Sequence, residues 1–127
     1  MAIDIERLAT AVALRLDGTV SHWPEYERRE VTREQVLIVP SGIAYKFLSR
    51  AHTQADYHLD VGVLRRATED DIPHLLKRME TLANRLTGAV FEGFRCIEVK
   101  HEPLYSLEYL REKRLFVGIL KLTFRGA

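Results

Sequence analysis

The stretch that most limits how this chain can fold is "LFVGILKLTF", Leu115 to Phe124. Written as a strand, it places Phe116, Gly118, Leu120, Leu122 and Phe124 on one face, every one of them apolar or glycine. The opposite face carries Leu115, Val117 and Ile119 before Lys121, Thr123 and Arg125 turn polar. A strand with one wet face alternates cleanly. This one asks for cover along the whole of one side and half of the other.

The chain has 127 residues, near the commonest size of one domain, and is read as a single domain over 1–127. A chain of that length buries roughly two-thirds of its surface and can fold without a metal or a disulfide. Nineteen Lys and Arg against eighteen Asp and Glu leave a net charge of +1, too weak a field to steer a nucleic acid or a membrane surface. Cys96 stands alone, which excludes an internal disulfide and a Cys-based zinc site. Asp4 and Glu6 interrupt the N-terminal segment, unlike a signal peptide, and no apolar run approaches bilayer-spanning length. The expectation is a soluble, intracellular protein.

Ile5, Leu8, Ala9, Val12 and Leu16 recur at helical spacing, predicting a helix from about Asp4 to Asp17 with Gly18 as its stop. A connection containing Trp23 and Pro24 follows, then a mostly charged edge strand or ribbon over Tyr26–Thr32. Val36–Val39 is short and wholly apolar, Pro40–Gly42 reads as a turn, and Ala44–Ala51 alternates loosely. From Asp56 to Arg66 the alternation is clean: Tyr57, Leu59, Val61 and Val63 face one way, His58, Asp60 and Arg66 the other. A second helix carries Ile72, Leu75, Leu76, Met79, Leu82, Ala83 and Leu86 as one stripe. Thr68 and Asp71 form a capping-box pattern ahead of it, Pro73 suits its first turn, and Gly88 ends it. A loop, "AVFEGF", leads to a strand around Arg95–Lys100; Pro103 breaks that strand, and Ser106–Lys113 forms a short helical turn before the last strand.

The economical arrangement is a two-layer α+β domain, a mixed and mostly antiparallel sheet with two amphipathic helices packed on one face. Two helices cover one side of a sheet. The apolar half of the second face, with one side of Val36–Val39, is therefore expected to be covered by another subunit.

None of the five histidines, His22, His52, His58, His74 and His101, pairs with another at helical ligand spacing. His58 and Asp60 share a strand face, but two ligands fall short of the three a catalytic zinc takes from protein. Cys96 in a strand reads as a small buried hydrophobe rather than a nucleophile. No Gly-x-Ser-x-Gly elbow surrounds Ser41, and no Gly-rich phosphate loop occurs. "GFRCIEVKHE" resembles the aromatic strand of RNA-recognition domains but lacks the further stacking aromatics. The expectation is no catalytic, cofactor or metal site. Val90, Phe91 and Phe94, between Gly88 and Gly93, sit where loops are usually polar. They either fold back on the core or dock on a partner.

"DIPHLLKRMETLANRLTG", a strand, and "EPLYSLEYLREKRLFVGILKLTFRG" together resemble the tail-terminator or tail-completion proteins of long-tailed phages and prophages. Pro103, Tyr105, Leu110 and Phe116 hold the places of that family's Pro-Tyr turn, following Leu and strand-opening aromatic. "YHLDVGVLRRA", and the N-terminal helix with its Trp/Pro connection, add to the likeness. Related neck and minor tail proteins share this look. The resemblance implies a non-enzymatic structural protein, monomeric when free, that assembles into a ring, typically sixfold, on the tail tube and forms the head-tail joining surface. Its partners would be copies of itself, the tail-tube protein and a head connector, in the host cytoplasm during assembly and in the virion neck afterwards. On that reading Phe91, Phe94, Tyr105, Tyr109 and Leu115 are contact residues, with Arg28, Arg29, Arg111 and Arg114 as rim charges. The alternative is a small dimeric ligand-binding or regulatory module that buries the same apolar half-face across a twofold axis.

Overall fold

The structure, a computed structural model, describes residues 3–22, 33–50 and 52–126. The expected ribbon at Tyr26–Thr32, and with it Arg28 and Arg29, lies outside the described residues, as do Trp23 and Pro24. Helix α1 spans Asp4–Leu16 and buries Ile5, Leu8, Ala9, Val12 and Ala13 as one stripe. Asp17, not Gly18, takes the left-handed position that closes it, while the Gly18 N–H donates to the Ala13 carbonyl at 2.8 Å. Gly18 is small for a different reason: a Cβ there would lie 2.9 Å from the Val36 carbonyl oxygen.

Strand β1, Thr19–Val20, runs parallel to β2, Gln35–Ser49, which turns antiparallel into β3, His52–Arg66. After a capping turn comes α2, Ile72–Leu86; then β4, Val90–Phe91, β5, Phe94–Lys100, α3, Leu107–Lys113, and β6, Leu115–Gly126. The sheet order is β1-β2-β3-β6-β5-β4, antiparallel except at β1, so the expected mixed α+β fold is the fold observed. The capping box forms as read: the Thr68 N–H donates to Asp71 Oδ2 at 2.9 Å, and Pro73 lies in the first turn of α2.

Pro40–Gly42 does not turn the chain. β2 continues through it as a bulge, with Pro40 opposite Leu59 and Gly42 opposite His58, leaving Ser41 as the extra residue. Proline is tolerated in a strand at an edge or a bulge, where its missing N–H breaks no ladder bond. Among the described residues β2 beyond Ile38 is such an edge, since β1 pairs with Leu37 and Ile38 and nothing described pairs further along.

The main core lies between the helices and the first sheet face. Leu8, Val12, Leu75, Met79, Leu82 and Leu86 meet Ile38, Leu59, Val61, Val63, Phe116, Leu120 and Phe124. The second face corrects the expectation of a covering subunit. Leu37, Val39, Leu64, Leu115 and Val117 are each at most 6% exposed within the single chain, with Ile119 and Tyr109 of α3 packed against them. The cover comes from inside. The short helix that precedes β6 sends Leu110 into the main core and Tyr109 onto the second face, so it straddles the end of the sheet.

Candidate interaction surface

Three places concentrate functional side chains. The first is the polar half of the second face. Here Asp56, although only 3% exposed, carries a charge balanced by several partners. Arg125 Nε and Nη2 donate to its two carboxylate oxygens at 2.9 and 3.1 Å, Gln54 Nε2 donates at 3.1 Å, and Lys46 Nζ lies 3.4 Å away. The Arg125 hydrogen bonds hold the Asp56 carboxyl well below the usual carboxylate range, against the burial that alone would raise it.

Beside this cluster a recess of 360 Å³ is lined by Ser41, His58, Asp60, Glu98, Lys121 and Thr123. His58 Nδ1 is 3.2 Å from Thr123 Oγ1, and burial pushes the Asp60 carboxyl up while Lys121 and Ser41 pull it back. Two acids and one ring nitrogen face it, and among the described residues no three His, Cys, Asp or Glu converge as a metal site. Cys96 is fully buried, with its thiol pushed up to about 11 by burial.

The second place is the β4–β5 hairpin. Glu92 and Gly93 both have positive φ, 51° and 82°, the signature of a tight two-residue turn. The turn folds the aromatics inward. Phe91 is buried, edge-on to Phe124 at 6.0 Å, with the Arg15 guanidinium 5.1 Å from its ring centre. Phe94 is partly buried and edge-on to Tyr57 at 5.0 Å. An open groove of 770 Å³ separates this hairpin from α1, lined by Ala11, Leu14, Arg15, Val90 and Glu92 among others.

The third is an arm. Asp56 opposite Arg125 is the last pair of β3 with β6, so Tyr45–Ser49 and His52–Ala55 run on as a two-stranded ribbon. Tyr45 and Phe47 are each 75% exposed and Leu48 59%. Register alternation puts Tyr45 and Phe47 on the helix-bearing side, and Leu48 is the extra residue of a second bulge, between Phe47 and Ser49. A lone two-stranded ribbon is marginal in water. Lys46 and Gln54, one on each strand, are gripped by Asp56 at its root.

The contact residues read from sequence divide accordingly. Phe91 and Leu115 are core side chains and offer no contact surface in the single chain. Tyr105 packs on Phe116 at 6.0 Å, and Tyr109 joins the second-face cluster with Lys113 Nζ 5.7 Å from its ring centre. Arg111 and Arg114 are exposed on α3 and at its left-handed end. Tyr105, Tyr109, Arg111, Arg114 and Leu115 thus gather at one end of the sheet, while Phe91 and Phe94 sit at the other. Sequence reasoning passed over Tyr45, Phe47 and Leu48, and also Leu104 and Leu107 around the start of α3, 52% and 46% exposed. The available signal was "YKFL", three large apolar side chains interrupted by Lys46 and followed by the polar Ser49 and Arg50. No helix among the described residues is long and apolar enough to cross a membrane. No protein-family model matches the chain, and no curated protein matches it.

Proposed function

We propose that this chain is a structural subunit, without catalytic activity, that joins copies of itself head to tail into a ring. The role is that of a tail terminator or tail-completion protein of long-tailed phages and prophages, capping the tail tube and forming the head-tail joining surface. Such a cap works by covering strand edges that would otherwise recruit another subunit. The observation that carries the reading is the arm: Tyr45, Phe47 and Leu48 are largely exposed on a ribbon that no other described residues cover. Soluble monomers rarely spend large apolar side chains this way unless a partner receives them. The sequence resemblance, which covers most of the chain, supports this identity of the assembly.

Sedimentation velocity from micromolar to millimolar protein, with negative-stain imaging of the concentrated sample, tests it. A monomer that gives way to one closed species, a ring of about six copies, is expected. A persistent twofold dimer favours the small ligand-binding module instead, and a chain that stays monomeric throughout overturns the ring.

A further inference from the structure

The ring reading leaves open which surfaces mate, and on that reading the geometry points to one pair: the arm of one copy docks on the turn that opens α3 of the next. Both surfaces expose large apolar side chains, Tyr45, Phe47 and Leu48 on the arm and Leu104 and Leu107 on the turn, and they lie toward opposite ends of the sheet; Leu14 and Val90 are exposed elsewhere, beside the α1 groove. β6 runs ten residue steps from Leu115, beside α3, to Arg125, at the root of the arm, about 34 Å along a strand. The α3 turn lies on the β5 side of β6, where the Ser106 N–H donates to the Val117 carbonyl at 3.3 Å; the arm lies on the β3 side. One chain therefore cannot bring them together. Two different patches facing each other make a heterologous contact, which closes into a ring when the rotation allows.

Charge matches the pair. Lys46 is held by Asp56 at the root, so the cation the arm offers is Arg50 beside its tip; the turn offers the exposed Glu102 and Glu108, ahead of Arg111 and Lys113 further along α3. The receiving turn is also held in shape. His101 Nε2 lies 2.7 Å from the Leu104 carbonyl, Tyr105 packs at a tilt against Phe116, and the Ser106 hydroxyl accepts from the Tyr109 N–H at 3.3 Å. Leu104 and Leu107 project from that frame into solvent. The three arm side chains would bury about 400 Å², well below the roughly 800 Å² per partner of a stable complex. Free chains then stay apart, and the contact forms when copies are concentrated.

Cross-linking reads the contact. Phe47→Cys and Leu107→Cys variants, made separately, are mixed at high concentration and oxidised, with exposed Leu14→Cys as the collisional control; Cys96 is buried and does not compete. The expected result is a linked F47C–L107C pair at least fivefold above F47C with L14C. Arg50→Glu or Glu108→Lys lowers the yield, and combining R50E arms with E108K turns restores it. Closed rings in sedimentation with linkage no better than the control overturn the pairing and leave the ring standing. Linkage of F47C mainly to itself overturns the pairing in favour of a twofold contact, and millimolar protein with neither rings nor linkage overturns both.

Discussion

Arg125 closes on Asp56 with two hydrogen bonds, 2.9 and 3.1 Å, across the last paired residues of β3 and β6. Behind that pair β2, β3, β6 and β5 lie side by side; past it β3 pairs with β2 alone. Asp56 also holds Gln54 and Lys46, so one carboxylate ties the arm to the body of the sheet.

The first prediction concerns this carboxylate. Its folded pKa lies below the ordinary 3.8, chiefly because of Arg125. A depressed acid contributes stability that is fully present above the unfolded pKa and is lost as pH falls through that value toward the folded one. Asp56→Asn is expected to cost about 1–2 kcal/mol near neutrality, the scale of a charged hydrogen bond discounted for a half-open partner. Its stability should then fall less steeply than the parent's between about pH 5 and pH 2. Urea unfolding across that range checks both, and equal acid limbs in the two proteins would refute the assignment.

Phe91 and Phe47 make opposite predictions for the same substitution. Phe91 is 5% exposed against Phe124, so Phe91→Ser should lose about 3 kcal/mol or more. Phe47 is 75% exposed, so Phe47→Ser should stay within about 0.5 kcal/mol. Self-association should respond the other way round, with F47S monomeric at concentrations where the parent assembles. Chemical denaturation and sedimentation on the two variants decide it.

What was legible in the sequence follows from periodicity. α2 could be read almost residue by residue because Leu75, Met79, Leu82 and Leu86 repeat a buried stripe and Thr68 and Asp71 announce its start. β3 was legible because its wet and dry residues alternate. β2 was not, since Pro-Ser-Gly reads as a turn and only the register shows a one-residue bulge absorbing it. The second face misled for a different reason. Its apolar residues were identified correctly, but a seven-residue helix looked too short to matter, and where Tyr109 and Leu110 point depends on tertiary placement. The arm was hidden because a ribbon exposed on both sides has no period to detect.

Gly118 tests the packing of α2 on β6. A Cβ there would stand 2.8 Å from Phe116 Cε1 and 2.9 Å from Met79 Cε. Gly118→Ala is expected to destabilise by about 1–2 kcal/mol through overpacking. Met79→Leu removes one of the two clashing atoms, so the pair should be less destabilised than the sum of the single variants, a coupling read by a double-mutant cycle.

The β4–β5 turn offers a substitution in the stabilising direction. Glu92 holds φ 51° ahead of Gly93 at φ 82°, and a residue with a Cβ is strained there unless its side chain suits the left-handed region. Asn before Gly is the favoured sequence for this turn because it tolerates that conformation best. Glu92→Asn should therefore raise stability by about 0.5–1 kcal/mol, while the β-branched Glu92→Val should lower it by about the same amount or more. Since Phe91 and Phe94 flank the turn and both pack on the body of the sheet, Phe91 on Phe124 and Phe94 on Tyr57, a gain at Glu92 would also show that the hairpin is already formed in the free monomer. Equal stability of the Asn and Val variants would mean that the turn does not hold this geometry, and with it the inward placement of both rings would fail.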